Sequence, residues 1–362
     1  GSDLHAEAMG GLMMIQGAAD RPPSMSPAFL GYSLPGVHAA LGIVHALLAR
    51  ENDGIGQQVE VSMQEVIANV HFIVSQYGYN GTMQLRPGIG SGGATGIFEC
   101  ADGFIGFSPI TPGQWNSLVE WMDESALRDP MFDTVTGRRE QANLIHELVC
   151  AFVLGVEVAD FVEKAQSQRI PAAPVSTPAD LARNPHLLDR GYFLNVEHPT
   201  TGRYRLPGAV AQLSETPWGI SRPAPRLGEH TTEVMNWIGL ASRPHGRKPG
   251  NGSPRAPLDG IRIVDMTRIW VGPYCTRQLA DFGADVIKIE SSVFDPNSRA
   301  GGVIPTHADL SRNKRSITVD LHTSDGQEVI RRLIAQSDAV VENYAAGTLA
   351  RWGLGYEDVR TL

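Results

Sequence analysis

Along residues 36–50 (GVHAALGIVHALLAR) apolar side chains recur every three to four positions among several small residues, which predicts a closely packed, buried helix. The run GQQVEV sets Val59 and Val61 two apart, the period of a short strand. Ser62 then opens S-M-Q-E, where a hydroxyl and Glu65 three residues later make the capping-box pattern of a helix reaching to about Tyr77. No unbroken apolar run approaches the roughly 18 residues of a membrane span. The N-terminus also lacks the basic-then-apolar layout of a secretory signal, so a cytoplasmic protein without membrane contact is expected.

From Gly88 the pattern changes. A glycine-rich run, GIGSGGATG, precedes IFECADGFIGFSPI, in which Asp102-Gly103 between two apolar stretches predicts a hairpin. A smaller, partly β domain is expected to begin here, to continue through a helical pattern over 141–168 and to end near PAAPVSTPAD. Strand-like and irregular segments then lead to a helix near 229–240. Residues 241–257 (ASRPHGRKPGNGSPRAP) have almost nothing apolar to bury and predict a linker.

Beyond the linker, strand and helix patterns alternate. IRIVDM is followed by a helix from about Gly272 to Asp281 with Pro273 near its first turn, then by DVIKIE, SITVDL, a helix capped near Thr323 or Ser324 and running to Gln336, and AVVENY. That alternation predicts an α/β fold, a parallel sheet with helices on its faces. Ligands of such sheets bind beyond the carboxyl ends of the strands, here at residues 267–273, Glu290, and Asn343-Tyr344. A nicotinamide enzyme would need G-x-G-x-x-G after the first strand, and the turn after Met266 offers only Gly272, so that reading is disfavoured. The cluster Arg312, Lys314, Arg315 reads either as a solvated loop or as a phosphate-attracting patch.

Composition narrows the classes. With 362 residues, 42% hydrophobic and 19% charged, the chain is a globular protein of about two domains. A formal net charge of -9 opposes a broad nucleic-acid surface. Cys100, Cys150 and Cys275 are odd in number and far apart, which suggests neither a disulfide framework nor a zinc site, and no metal is expected.

PLDGIRIVDMTRIWVGPYCTRQLADFGADVIKIE, then SRNKRSITVDL, then VVENYAAGTLARWGLGYEDV, resembles the N-terminal region of class III CoA-transferases, the formyl-CoA, carnitine and bile-acid-inducible group. The front of the chain, with AMGGL, GVHAALGIVHALLARENDGIGQQVEVSMQEV, the glycine run and LGEHTTEVM, resembles later segments of the same family. The order is therefore rotated, as expected of a piece spanning the junction of a tandem two-unit fusion. The resemblance implies a Rossmann-like large domain with a smaller α+β domain, interlocked in a homodimer or an intramolecular pseudo-dimer. Residues 1–85 would be the helical part of the large domain of unit 1, 86–185 its small domain, 186–240 a return to the large domain, 241–257 the linker, and 258–362 the CoA-binding part of unit 2.

The resemblance also implies an activity: CoA passes from an acyl-CoA to a small carboxylic acid through an aspartyl anhydride and an aspartyl-CoA thioester, with CoA as substrate and no metal or nicotinamide. Carried over residue by residue, CoA contacts fall on Asn343, Tyr344, Thr348 and Arg351, on Arg268, Trp270 and Val271, on Lys314, and on Val319, Asp320 and Leu321; Gly92 and Gly93 match a mobile glycine loop. Ser291 and His322 stand where a family member carries Arg and Lys. The family's nucleophilic Asp falls on Tyr32, no carboxylate neighbours it in FLGYSLPG, and a phenol is a poor stand-in for an ionised carboxylate. The first unit is thus expected to be silent by this chemistry, the nucleophile of the second to lie after Leu362. A non-catalytic CoA-binding or assembly module is the alternative.

Overall fold

The computed structural model describes residues 1–71, 73–81, 86, 92–238, 255–291 and 305–362. The chain forms two compact units: one from Gly1–Arg86 with His245–Leu362, the other from Pro87–Pro244. Most of the expected linker, and Gly88 to Ser91 of the glycine run, lie outside the described residues.

The front of unit one is helical: α1 (Asp3–Met9), α2 (Leu30–Asp53), α3 (Met63–Val70) and α4 (Ile73–Asn80). The Ser62 hydroxyl accepts from the Glu65 N–H at 3.3 Å and starts α3 as its spacing predicts. The single helix expected to reach Tyr77 instead breaks at His71, whose extended backbone (ψ 142°) ends α3 and whose ring meets the Gly10 carbonyl at 2.9 Å. A tertiary hydrogen bond here overrides helical propensity. Residues 57–61, expected as a strand, have no ladder partner among the described residues and are irregular.

Two expectations for α2 need correction. Only Gly31, Pro35, His45 and Ala49 of this helix are buried, while Val37, Ile43, Val44 and Leu47 are exposed. Its apolar positions run around the whole circumference, and its neighbours cover one stripe. It also holds an 18-residue window of mean hydropathy 1.4, so by length and composition alone it is long and apolar enough to cross a membrane. Interspersed Gly, Ser, Pro and His hide that stretch from a search for unbroken apolar residues.

In unit two the Asp102-Gly103 turn joins β1 (Gly96–Glu99) to β2 (Phe104–Phe107), antiparallel as predicted. Then come α5 (Pro112–Met122), α6 (Val135–Glu140), α7 (Ala142–Val153), α8 (Val158–Ser167), β3 (Ala172–Pro174) beside β2, α9 (Pro178–Arg183), α10 (Pro185–Asp189), the hairpin β4 (Phe193–His198) with β5 (Gly202–Pro207), and α11 (Thr231–Ile238). Phe98, Ile105, Phe107, Leu118, Ile145, Val149 and Phe161 form one apolar core. Phe161 meets Phe107 edge-on at 5.3 Å and lies tilted against Trp121 at 4.8 Å.

The rest of unit one is α/β: β6 (Arg262–Asp265), α12 (Val271–Asp281), β7 (Asp285–Glu290), α13 (Pro305–Ser311), β8 (Arg315–Thr318), α14 (Ser324–Ile334), β9 (Ala339–Val341), α15 (Thr348–Arg351) and α16 (Tyr356–Val359). The strands form one sheet in the order β8-β7-β6-β9, every pair parallel. Alternation sorts the faces: Ile263 and Val286 pack with Ala280 of α12, while Val264, Ile287 and Ile289 pack with Ile330 and Ile334 of α14. Because β7 and β9 flank β6 on opposite sides, the strand order reverses there, and in open α/β sheets such a reversal marks the ligand-binding crevice, here at the carboxyl ends of β6 and β9.

A buried polar hub ties the helical front to this sheet. Asn69 of α3 accepts from Arg277 (2.5 Å) and from the Tyr274 hydroxyl (3.2 Å), and Arg277, 1% exposed, pairs with Asp309 at 2.9 Å. The same hydroxyl lies 3.3 Å from His38 Nε2 of α2.

Candidate functional site

The site is built on the turn between β6 and α12. β6 ends at Asp265, fully buried, and the Met266 N–H still donates to the Val341 carbonyl at 2.9 Å. The chain then turns through residues 267–270. Ile269, 88% exposed, adopts φ +66°, a left-handed conformation that β-branched residues rarely take. Gly272 is required where it stands, because a Cβ there would come within 2.4 Å of the Thr267 Cβ and 3.1 Å of the Asn343 side chain.

Asn343 fastens this turn to the end of β9. Its Oδ1 accepts from the Arg268 N–H (2.8 Å) and its Nδ2 donates to the Arg268 carbonyl (2.9 Å). The Arg268 guanidinium stacks 5.3 Å from the Tyr344 ring and donates to its hydroxyl at 3.2 Å. Tyr344 in turn meets Trp352 edge-on at 5.5 Å, and His322 also meets Trp352 edge-on, at 5.4 Å. Arg351 donates to the Thr348 hydroxyl at 3.0 Å and is exposed. The Glu342 carboxylate of the same loop accepts from the Tyr344 N–H at 2.7 Å. The crevice therefore offers the Arg268 guanidinium on an aromatic platform, with the exposed Arg351 farther along the segment after β9, groups suited to an anionic ligand that carries a planar ring.

The predicted residues divide. Arg268, Trp270, Asn343 and Tyr344 belong to the two loops bordering the crevice, Val271 opens α12, and Thr348 and Arg351 are the ends of α15. Val319 extends the ladder by donating to the Glu290 carbonyl at 2.9 Å, Asp320 caps the His322 N–H at 3.0 Å, and Leu321 points into the core under α14. Lys314 sits beneath the β6 turn with its side chain 1% exposed. Gly92 and Gly93 lie in unit two with φ of +87° and +81°, and a Cβ on Gly93 would meet the Ala142 carbonyl at 2.3 Å.

Asp265 and Trp352 were missed by sequence reasoning. Nothing local marks Trp352 as a partner of Tyr344; the signal for Asp265 was an acidic residue directly after the apolar pair Ile263-Val264, at the carboxyl end of β6. Burial pushes the Asp265 carboxyl up, but the Lys314 ammonium, the Thr267 hydroxyl and Lys288 outweigh it and hold it below the ordinary carboxylate range.

Tyr32 lies in the first turn of α2, exposed, its ring stacked 6.3 Å from Phe29. Ala28 and Phe29 before it both have positive φ, 64° and 56°. A carboxylate does approach this turn in space: Asp3 is buried, neither of its oxygens has a hydrogen-bond partner, and Oδ1 lies 2.6 Å from where a Cβ on Gly31 would stand. Elsewhere in unit one a cavity of about 350 Å³ is lined by His38, His45, Glu60, Glu65 and Phe282, none of them part of the crevice.

A probable CoA-transferase of Mycobacterium tuberculosis, Rv1866, is 27% identical over 97% of this chain and 45% of its own length. Succinyl-CoA–D-citramalate CoA-transferase of Chloroflexus aurantiacus is 30% identical over 63% of this chain and 58% of that protein. Formyl-CoA:oxalate CoA-transferase of Streptomyces avermitilis is 30% identical over 64% and 61%. The chain thus spans about half to three fifths of these curated relatives. Among solved structures, a CaiB/BaiF family protein from Brucella suis superposes with a TM-score of 0.57 at 20% identity, over 66% of this chain and 63% of that one. Rv3272 of Mycobacterium tuberculosis superposes at 0.55, also at 20% identity, over 64% and 63%. The family model described as CoA-transferase family III matches residues 1–231 and 258–362, and the chain belongs to that family.

Proposed function

We propose that this chain is part of an enzyme that moves coenzyme A from an acyl-CoA to a small carboxylic acid. The observation that carries this reading is the strand-order reversal, where Arg268 stacks on the Tyr344 platform and the exposed Arg351 follows on the segment after β9, in a family III chain. The guanidinium groups would take the phosphates and the aromatic surface the adenine. Val319, Asp320 and Leu321 would border the same ligand, Lys314 would stand behind the β6 turn, and Gly92 and Gly93 would belong to the loop that closes on the acyl group. Chemistry would follow the carboxylate route: a side-chain carboxylate attacks the thioester, releasing CoA thiolate and forming a mixed anhydride; the thiolate returns to give an enzyme thioester, which the acceptor acid then resolves.

Tyr32 occupies the nucleophile's position in the first unit of a tandem fusion, and the aspartate of the second would follow Leu362. Support for a fusion comes from Rv1866, in which 97% of this chain aligns within less than half of the other protein. In this reading residues 1–85 and 186–240 serve the large domain of the first unit and 86–185 its small domain, and residues 258–362 open the second. The two units, or two copies, would interlock, and the exposed apolar side chains of α2 would be covered in that assembly. We place the protein in the cytoplasm, where Cys100, Cys150 and Cys275, all unpaired, would stay reduced.

Tyr32 also favours a second reading, a CoA-binding or assembly module without its own chemistry. Calorimetric titration with CoA, with NAD in parallel, tests the binding step common to both. Saturable CoA binding that is lost in Arg351→Ala, without response to NAD, is expected; absence of CoA binding would overturn both readings for this chain. Turnover of an acyl-CoA with a dicarboxylate acceptor by the longer parent protein then separates enzyme from module.

A further inference from the structure

The Arg312, Lys314, Arg315 cluster reads in sequence as a solvated loop or a phosphate-attracting patch, yet its middle member faces inward. The Lys314 ammonium donates to Asp265 Oδ2 (2.9 Å), to the Pro273 carbonyl (2.9 Å) and to the Thr276 hydroxyl (2.7 Å), which uses all three of its N–H bonds. Asp265 is equally engaged: Oδ1 accepts from the Thr267 N–H (3.0 Å) and hydroxyl (2.5 Å), and Oδ2 accepts from Thr276 (2.7 Å) as well as from Lys314. Lys288 of β7 adds a bond to the Thr267 carbonyl at 3.2 Å.

These acceptors are not scattered. Thr267 opens the β6 turn, and Pro273 and Thr276 belong to the first turns of α12, so one buried ion pair grips both ends of the loop that carries Arg268, Ile269 and Trp270. Burying two opposite charges sacrifices solvation that their attraction at best repays, and apolar replacements often serve stability as well. What an apolar pair could not supply is a set of directed bonds to both ends of a turn whose Ile269 is held at φ +66°.

We propose that Lys314 is a positioning residue: paired with Asp265, it holds the turn from Thr267 to Gly272 in the shape that receives CoA and does not itself touch the ligand. This rests on the CoA-binding reading above, and the test separates the two. The full 362-residue chain and its Lys314→Met variant are compared in two ways. Acrylamide quenching of Trp270, taken as the difference from matched Trp270→Phe proteins, reports the turn without ligand. CoA titration at several salt concentrations reports the site, with Arg351→Ala as the reference for a direct phosphate contact.

A positioning residue predicts at least tenfold weaker CoA binding in Lys314→Met with a salt dependence parallel to that of the unmodified chain, together with increased Trp270 quenching. Arg351→Ala should instead flatten the salt dependence and leave Trp270 quenching unchanged. A flattened salt dependence in Lys314→Met with unaltered quenching would make Lys314 a ligand contact and overturn the proposal, as would unchanged affinity. If the unmodified chain does not bind CoA, the CoA reading fails, and unaltered Trp270 quenching would still sink the positioning role on its own. Should Lys314→Met not fold, Asp265→Asn/Lys314→Met, which leaves no unpaired buried charge, carries both measurements.

Discussion

Unit two and the sheet of unit one solve the same problem, a stable interior, with different materials. Unit two closes one continuous apolar core in which Phe98, Phe107, Trp121 and Phe161 meet ring to ring. Unit one divides its apolar residues among separate clusters on the two faces of the sheet and under α1, and spans the gaps with buried polar groups, Asp265 with Lys314 and Arg277 with Asp309 and Asn69. Apolar packing is tolerant of detail and sums over area, whereas a buried ion pair is satisfied in one geometry only. The unit that carries the crevice is the one whose interior is directional.

That contrast can be broken first at its most costly point. Asp265→Ala leaves the Lys314 ammonium buried without its carboxylate and should destabilise unit one by about 3–5 kcal/mol. In a denaturation experiment resolving two transitions, the one assigned to unit one should move and the other stay. A shift common to both would mean that the two units unfold together.

Acid should separate the units next. The folded pKa of Asp265 is depressed below its ordinary value of 3.8, so its contribution is complete above that value and is lost as pH falls through the lower folded value. Asp285, where burial is outweighed by bonds from Arg262 and Arg315, titrates in the same sense. Unit one is therefore expected to unfold before unit two when pH is lowered from 5 to about 2. Circular dichroism with tryptophan emission would follow the two events, and earlier loss of unit two would contradict the assignment.

Smaller effects sharpen the comparison from the apolar side. Ile145→Val removes one methylene from the fully buried core of unit two and should cost about 0.5–1.5 kcal/mol in the transition of that unit alone. Smaller still, Arg128→Ala dissolves an exposed pair with Asp123, their side chains 58% and 83% accessible, and should change stability by at most about 1 kcal/mol. A larger loss there would mean that exposed pairs, too, hold unit two together.

Much of the local structure was legible. Asp102-Gly103 marked a hairpin because few residue pairs suit its tight turn, and Ser62 and Thr323 marked helix starts because a hydroxyl three residues before a free N–H is a local device. The alternating strands and helices of residues 258–362 could be read the same way. The crevice was half legible: Arg268, Asn343 and Tyr344 were singled out, but not the bonds joining them across 75 and 76 positions.

Chain order and composition by themselves determined the turns, the caps, the parallel sheet and the loops bordering the crevice, since each depends on residues within a few positions of one another. Tertiary structure alone decided that α3 ends at His71, that α2 leaves most of its apolar surface exposed, that Asp3 comes to lie beside Gly31, and that Lys314 turns from the surface to Asp265, 49 positions away. Charge and hydropathy state what a side chain can do. Which of its possible partners it meets is settled only when distant segments are packed together and the water between them is gone.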